Sequence, residues 1–252
     1  MTRIIMVGYN GRMGRVIGDI VKNDPETEIV AGVDLFEGPA DFAKYTSIAD
    51  VKEAADVIID FSSPKTLPGL LDFAIAKSMP VVLCTTGFSE EELADIKAAS
   101  EKVAILRSAN MSLGINTVAK LIQEAAKILA NEGYDIEIVE RHHNQKKDAP
   151  SGTALLLADA INTQMDGKYE YVYDRSARRE TRPANEIGIS AVRGGTIVGD
   201  HEVIFAGLDE VIEIKHSAYS RSVFAKGAVN AAKFLAGKPA GMYNMGNVVG
   251  IE

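Results

Sequence analysis

The sequence predicts an α/β protein: an N-terminal doubly wound parallel sheet, followed by an α+β domain with a mostly antiparallel sheet. Three observations predict this fold class. Apolar runs alternate with helix-type segments over residues 3 to 109, and a glycine-rich turn follows the first run. Later, apolar and polar residues alternate with a period of two. Alternating strands and helices require crossover connections, whereas a period of two is typical of strands with one covered face.

The parallel strands are predicted from five apolar runs, which lie at residues 3–8, 28–34, 56–61, 80–86 and 103–109. Helix-type segments separate the runs. The clearest is "SEEELADIKAAS", which opens with a Ser N-cap and has acids in its first turn, where the positive end of the helix dipole favours them.

The period-two pattern begins with "YDIEIVE" (134–140) and returns in "DEVIEIKH" (209–216), with "GISAV" and "TIVGDHEVIFAG" between the two. We expect these segments to form antiparallel strands with one face covered. A boundary is therefore expected near residue 112. The segment "SVFAKGAVNAAKFLAGK" near the end of the chain is predicted to be a helix, which we assign to the first domain. The predicted domains are residues 1–112 with 221–252, and residues 113–220.

Composition excludes several classes of protein. The 252 residues are 46% hydrophobic and 25% charged, and the net charge of -8 opposes binding to nucleic acid. The single cysteine, Cys84, excludes an internal disulfide and a multi-thiolate metal site. We find no apolar run long enough for a secretory signal or a membrane span, so we expect a cytoplasmic protein without a membrane partner.

Three glycines lie between the first predicted strand and helix, at Gly8, Gly11 and Gly14 of "VGYNGRMG". Such a turn lets the backbone approach a pyrophosphate group, toward which the helix N-terminus points. Asp34 follows about 20 residues later, where an acid binds the adenosine ribose hydroxyls. The pattern predicts a Rossmann-like dinucleotide-binding domain, and the alternative is a glycine-rich surface turn.

The choice between NADH and NADPH depends on the residues around Asp34. An acid at this position repels a 2'-phosphate, and Leu35 offers no guanidinium group to offset it. Arg12 in the glycine turn could reach that phosphate. We expect NADH to be favoured, with some use of NADPH.

Two polar segments stand at the carboxyl ends of parallel strands, where ligands of such sheets bind. They are "DFSSP" (60–64) and "CTTGF" (84–88). Thr85, Thr86 and Gly87 could contact the nicotinamide carboxamide. The alternative is that these Ser and Thr residues only cap the helices that follow.

The segment "ERHHNQKKDAPSGTA" (140–154) is the second candidate site. We expect Glu140 to end a strand, residues 141–150 to form a loop and Ser151 to cap a helix whose amides at Gly152 and Thr153 favour an anion. Imidazole and ammonium groups there could donate a proton beside a bound carboxylate. A metal is not expected, since no further ligands stand at suitable spacing. The alternative is a solvated polar loop.

At these motifs the sequence resembles the dihydrodipicolinate reductases of bacterial lysine and diaminopimelate biosynthesis. The resemblance covers essentially the whole chain and includes "DVIIDFSSP", "ANMSLGIN", "RGGTIVGDHEV" and "SRSVFAKGA". It implies NAD(P)H-dependent reduction of 4-hydroxy-tetrahydrodipicolinate, a dicarboxylate, by a homotetramer that assembles through the sheet of the second domain. No basic residue directly follows Asp34, which puts a strong NADPH preference in doubt.

The resemblance also implies residue roles. The implied catalytic residues are His142 and Lys146, and either could be the proton donor. The implied substrate-binding residues are His143, Lys146, Gly152, Thr153 and Arg221. The expected cofactor-binding residues are Gly8, Asn10, Gly11, Arg12, Met13, Gly14, Asp34, Phe61, Ser62, Thr85, Thr86, Gly87, Ser108, Ala109, Asn110 and Met111.

Two other functions remain open at this point. Another amino-acid-pathway dehydrogenase would keep the glycine turn but has no need for the histidine and lysine segment. A non-catalytic nucleotide-sensing module would keep Asp34 and the glycines without a proton donor. The basic segment "RSARRETR" (175–182) is interpreted as a solvated flap, and the alternative is a role in substrate steering.

Overall fold

The computed structural model describes residues 1–250 and divides into two compact units. The first consists of Met1–Ser112 and Ser222–Glu252, of which 251 and 252 lie outside the described residues. The second is Leu113–Arg221. The chain returns to the first unit one residue later than expected, so Arg221 belongs to the second unit.

The strands along residues 1–250 are β1 Thr2–Val7, β2 Thr27–Val33, β3 Ala43–Tyr45, β4 Val57–Asp60, β5 Val81–Leu83, β6 Ala104–Arg107, β7 Asp135–His142, β8 Glu170–Val172, β9 Glu186–Arg193, β10 Gly199–Ala206, β11 Val211–Ala218 and β12 Gly241–Tyr243. The α-helices of the same range are α1 Arg12–Lys22, α2 Leu67–Lys77, α3 Glu90–Ser100, α4 Leu113–Leu129, α5 Gly152–Gln164, α6 Ser222–Leu235 and α7 Met245–Val248.

The first unit is built on a seven-stranded sheet in the order β12-β6-β5-β4-β1-β2-β3. Every pairing in it is parallel. The central strand β1 buries Ile4, Ile5 and Met6 completely, on both faces of the sheet. A parallel strand covered on both faces has no period-two pattern, which is why an uninterrupted apolar run predicted it. The doubly wound fold is confirmed.

Helix α6 packs on α1, β4 and β5 within this unit. An ion pair fixes it to the turn before β2, where Lys233 Nζ lies 2.6 Å from Asp24 Oδ2 and 2.9 Å from Glu26 Oε2. The close approach of α6 to the segment that follows β6 requires Gly227, because an added Cβ would lie 1.7 Å from the Met111 carbonyl oxygen. The C-terminal segment is thus part of the first unit's core.

The second unit has a five-stranded mixed sheet in the order β11-β10-β7-β9-β8. Strand β10 is antiparallel to both β7 and β11, as the period-two pattern predicted. The pairing of β7 with β9 is parallel, as is that of β8 with β9. The expectation of antiparallel strands was wrong for β9, because α5 and β8 intervene and form a crossover connection.

One face of this second sheet is covered by helices. Burial alternates residue by residue along β7 and β10, and their inward side chains share a core with α4 and α5. In the described part of the chain, no helix is both long and apolar enough to span a membrane.

We predict that Lys233→Ala will weaken the first unit, because it leaves the carboxylates of Asp24 and Glu26 without their ammonium partner. The pKa of Asp24 is lowered by its contact with Lys233, so this stabilisation should be present above the ordinary carboxyl range and disappear as the pH falls through the lowered pKa. Urea unfolding at pH 7 should show a loss of about 1 kcal/mol.

The matched control is Lys22→Ala, which removes an ion pair with Asp41 whose side chains are 75% and 97% exposed. An exposed ion pair contributes little to the free energy of unfolding, so the unfolding midpoint of Lys22→Ala should stay near that of wild type. Equal losses in both variants would contradict the anchoring role of Lys233.

Candidate active site

The glycine turn after β1 requires glycine at two of its three positions. Gly8 has a φ of +81°, and an added Cβ would lie 2.2 Å from the Phe61 carbonyl oxygen. At Gly14, an added Cβ would lie 2.2 Å from the Gly8 carbonyl oxygen, so this glycine lets α1 pack directly on the turn. Both glycines are therefore required by close packing within the first unit, while the expected approach of a pyrophosphate group stays a prediction.

The N-terminus of α1 is open to an anion. Gly11 is its N-cap and provides no side-chain hydrogen bond, and the first turn contains no acidic residue. Unpaired first-turn amides together with the helix dipole fit a pyrophosphate group. Arg12 is exposed and Met13 half-buried in this first turn.

Asp34 is fixed beside this turn at the end of β2. Its carboxylate accepts hydrogen bonds from the Asn10 backbone N–H at 3.1 Å and from the Phe36 backbone N–H at 3.1 Å. Asn10 also donates through its side chain to the Phe36 carbonyl oxygen at 3.0 Å. The next residues, Leu35 and Phe36, are 73% and 75% exposed. An acid and an apolar surface thus adjoin the glycine turn, an arrangement that fits the adenosine half of a dinucleotide.

Hydrogen bonds connect the ends of β4 and β5. Ser62 donates its backbone N–H to Thr85 Oγ1 at 2.9 Å and its hydroxyl to the Asp60 carboxylate. Asp60 is only 1% exposed, and this burial raises the pKa of its carboxyl group. Thr85 is itself buried, so Thr86 and Gly87 are the accessible part of the second segment. The half-buried Phe61 follows Asp60 at the same sheet edge.

The segment after β6 is held by its own hydrogen bonds. Ser108 donates its hydroxyl to the Asn110 carbonyl oxygen at 3.0 Å, and the Ser112 backbone N–H donates to Asn110 Oδ1 at 2.8 Å. Asn110 and Met111 are buried, whereas Ala109 is exposed. Ala109 is therefore the surface residue of this predicted cofactor segment.

In the second unit, β7 extends two residues beyond the predicted strand end. We expected Glu140 to end the strand, but the alternation of buried and exposed residues continues through His142. Residues two apart on a strand lie on the same face. Glu140 and His142 therefore both point to the helix-covered side, whereas Arg141 lies on the other face.

The fully buried Glu140 carboxylate is the centre of a hydrogen-bond cluster. It lies 2.6 Å from His142 Nδ1, and it accepts from the Ser151 backbone N–H at 2.9 Å. Arg193 donates to both of its oxygens, at 2.7 and 2.8 Å. Burial opposes ionisation, but Arg193, His142 and Ser151 together lower the pKa of Glu140 below its ordinary value.

A second buried imidazole adjoins this cluster. His201 packs edge-on against His142, with ring centroids 5.1 Å apart, and its Nε2 lies 3.1 Å from Ser151 Oγ. Burial and the neighbouring His142 lower the pKa of His201 to about 4. Ser151 also caps α5, as predicted, because its hydroxyl accepts from the Ala154 backbone N–H at 3.2 Å.

Most of the predicted substrate-binding residues lie between the end of β7 and the first turn of α5, in the second unit. Lys146 Nζ forms an ion pair with Asp148 Oδ2 at 2.8 Å. Gly152 is exposed and Thr153 half-buried at the start of α5. His143 follows β7 directly, and its carbonyl oxygen accepts from the Lys146 backbone N–H at 3.2 Å. Arg221 is exposed at the end of the unit, and its role stays a prediction.

Sequence reasoning missed three members of this cluster: Glu140, Arg193 and His201. Glu140 could have been found from the strand period, because it stands two residues before His142. Arg193 and His201 come from β9 and β10, and Arg193 is 53 residues from Glu140. Only the sheet brings them together. Among residues 1–250, no group of three or more His, Cys, Asp and Glu side chains is placed to hold a metal ion.

The basic segment 175–182 is exposed at all residues except Arg175 and Arg182, which are half-buried, so the expected solvent exposure is largely present. Its arginines are more tightly bound than a solvated flap requires. Arg175 pairs with Glu137 and Glu186, both at 2.6 Å. Arg182 pairs with Asp135 at 2.6 Å, and Arg178 also bonds to Glu186. These ion pairs fix the segment to the first residues of β7 and β9.

The parallel sheet, the glycine turn and Asp34 define the first unit as a Rossmann-like dinucleotide-binding fold. Models of the dihydrodipicolinate reductase N-terminus and C-terminus match residues 2–111 and 114–249. The chain therefore belongs to the dihydrodipicolinate reductase family, as its motifs predicted.

Two curated relatives are both named 4-hydroxy-tetrahydrodipicolinate reductase. That of Caldanaerobacter subterraneus subsp. tengcongensis is 57% identical, over 99% of this chain and 98% of the relative. That of Clostridium tetani is 52% identical, over 97% and 96%. A solved dipicolinate-bound dihydrodipicolinate reductase from Paenisporosarcina sp. TG-14 has a TM-score of 0.79 and 24% identity, covering 97% of both chains. It shares this fold.

We predict that His201 makes the protein less stable in mild acid. Its folded pKa of about 4 lies below the ordinary imidazole value of 6.5, so the unfolded chain binds a proton that the folded chain does not. The free energy of unfolding should therefore be highest above pH 6.5, where the ring is neutral in both states. It should fall by about 3 kcal/mol as the pH is lowered toward 4.

The test is denaturant unfolding of wild type and His201→Gln at pH 7.5 and at pH 4.5. The variant, which has no imidazole to titrate, should lose clearly less stability between the two pH values. Identical losses in both proteins would refute the role of His201.

Proposed function

We propose that this protein catalyses the NAD(P)H-dependent reduction of 4-hydroxy-tetrahydrodipicolinate to tetrahydrodipicolinate in lysine and diaminopimelate biosynthesis. The observation that carries the proposal is the cluster at the end of β7, in which the Glu140 carboxylate contacts both the His142 imidazole and the backbone N–H of Ser151, the N-cap of α5. The two curated relatives are both named as this reductase, and the chain aligns with nearly their whole length.

The reaction requires that the protein bind the two carboxylates of the substrate, and that one hydride and one proton be delivered to the ring. Loss of the substrate's 4-hydroxyl group as water leaves a carbon–carbon double bond conjugated with the ring imine. When bound, NAD(P)H supplies the hydride that adds at ring carbon 4. A proton taken up at the adjacent ring carbon then restores the imine, so atoms and electrons balance.

In the first unit, we assign the pyrophosphate to the amides of α1 beginning after Gly11, and the ribose hydroxyls to Asp34. Asn10, Arg12 and Met13 flank this position. For the nicotinamide end, we assign the exposed Thr86 and Gly87 and the segment from Ser108. The remaining assigned residues, Phe61, Ser62, Thr85, Asn110 and Met111, support these loops.

In the second unit, Lys146, His143 and the amides of Gly152 and Thr153 would bind the substrate carboxylates. The amides lie at the positive end of α5, where an anion is favoured. The Lys146 ammonium group pairs with one carboxylate, that of the exposed Asp148, which a substrate carboxylate would replace. His142 or Lys146 supplies the proton, since both groups can carry one.

The experiment that tests the function follows NADH and NADPH absorbance with substrate freshly formed from aspartate semialdehyde and pyruvate. Oxidation that depends on this substrate supports the proposal. Cofactor binding without oxidation would favour a nucleotide-sensing module, and turnover only with another amino-acid-pathway substrate would favour a different dehydrogenase. We further propose that the protein is a homotetramer and acts in the cytoplasm. Sedimentation of the purified protein would test the oligomeric state.

We predict that Lys146→Ala will lower kcat by about 10²-fold while leaving the Kd for NADH near wild type. The residue lies in the second unit, whereas the proposed dinucleotide contacts lie in the first. The control is Lys168→Ala, an exposed lysine of the same unit whose loss should leave kcat unchanged. Unchanged turnover of Lys146→Ala would refute the assignment.

We predict that Asp34→Ser will move cofactor preference toward NADPH. The substitution removes the carboxylate that repels a 2'-phosphate, so the ratio of kcat/KM for NADPH to that for NADH should rise about tenfold. Glu37→Ser, which removes an exposed acid nearby, should leave the ratio as in wild type. A ratio that does not change in Asp34→Ser would show that another group sets the preference.

A further inference from the structure

The contact between Glu140 and His142 places a carboxylate on one specific ring nitrogen. Both side chains point inward from β7, and Glu140 Oε2 lies 2.6 Å from His142 Nδ1. The Glu140 side chain is completely buried and that of His142 is 10% exposed. The contact is therefore shielded from water and from salt.

Glu140 is held in its ionised form. Arg193 donates to both carboxylate oxygens, and the Ser151 backbone N–H donates to one of them. Arg193 also donates to the Asp148 carbonyl oxygen at 2.7 Å, which fixes the guanidinium group from a second side. An ionised carboxylate can only accept hydrogen bonds, so its partner nitrogen on His142 must carry the hydrogen.

The other ring nitrogen of His142 lies beside Gly199, the first residue of β10. An added Cβ at Gly199 would lie 3.1 Å from His142 Nε2, so the glycine keeps a side chain away from this nitrogen. A further ionisable neighbour is His201, which packs its ring against that of His142. The two nitrogens of His142 thus have different surroundings.

Resting on the proposed function, we propose that Glu140, held by Arg193, is a positioning residue that fixes the hydrogen of His142 on Nδ1 and reserves Nε2 for proton transfer to the substrate. In that step the Nε2–H bond of the imidazolium breaks as the new C–H bond forms on the ring carbon next to carbon 4. The N–H electron pair stays on Nε2. The ring is left neutral with its hydrogen on Nδ1, the form that Glu140 stabilises.

The substitution Glu140→Gln distinguishes a role in positioning the hydrogen of His142 from a role that is only structural. The glutamine has nearly the same shape and can still accept from Arg193 or Ser151 through its oxygen. Its NH₂ group facing His142 would force Nδ1 to accept a hydrogen bond and place the hydrogen on Nε2. It also removes the negative charge that stabilises the imidazolium.

We predict that Glu140→Gln will lower kcat about 10²-fold, with KM for the dicarboxylate and Kd for NADH within about twofold of wild type. The control is Glu202→Gln, which breaks the ion pair with Arg141 at 2.9 Å on the opposite face of the same sheet. Glu202→Gln should keep the wild-type kcat. If Glu140→Gln does so as well, the positioning role is refuted while the proposed function stands.

A measurement on the unsubstituted protein covers the case in which Glu140→Gln does not fold. The chain has four histidines, so two-bond ¹H–¹⁵N spectra of histidine-labelled protein can resolve each ring. His142 is assigned by the signal lost in His142→Gln. Hydrogen on Nδ1 supports the proposal, and a neutral ring with hydrogen only on Nε2 overturns it. A wild-type enzyme that does not turn over the substrate would refute the proposed function itself.

Discussion

The second unit depends on one buried charge, the carboxylate of Glu140. A lone carboxylate without water would be strongly unfavourable, so the surrounding groups have to be present for the unit to fold. Arg193 at the end of β9 neutralises the charge, and the Ser151 backbone N–H at the start of α5 binds it. The same carboxylate therefore connects two strands, one helix and the His142 imidazole. Folding of the unit thus requires that these groups of the candidate site be in place.

Sequence patterns predicted what depends on neighbouring residues in the chain. The apolar runs gave the central parallel strands, and Ser151 gave the start of α5, because both signals are local. Of the four three-residue strands among residues 1–250, β3, β8 and β12 were not predicted, since a segment that short has no period to recognise. The fourth, β5, was predicted because it lies in a continuous apolar run.

The same distinction between local and long-range signals applies to the candidate site. His142, His143 and Lys146 were found because they lie within one short segment. The parallel pairing of β9 with β7 was missed, and with it the position of Arg193 beside Glu140. Charge pairing across a sheet depends on register, and register is set by the packing of the whole unit rather than by any local motif. The ion pairs of Arg175, Arg178 and Arg182 were missed for the same reason.

The ion pair between Lys146 and Asp148 shows how the proposed substrate-binding lysine is held in the protein itself. Contact with the Lys146 ammonium group lowers the pKa of Asp148, so this side chain stays ionised at neutral pH and holds the lysine in place. Asp148 is 59% exposed, so a carboxylate can replace it without leaving a buried charge unpaired. Under the proposed function, substrate binding is then an exchange of one anion for another at Lys146. Such an exchange favours a dianion that also reaches the amides of α5, because a single carboxylate would gain little over Asp148.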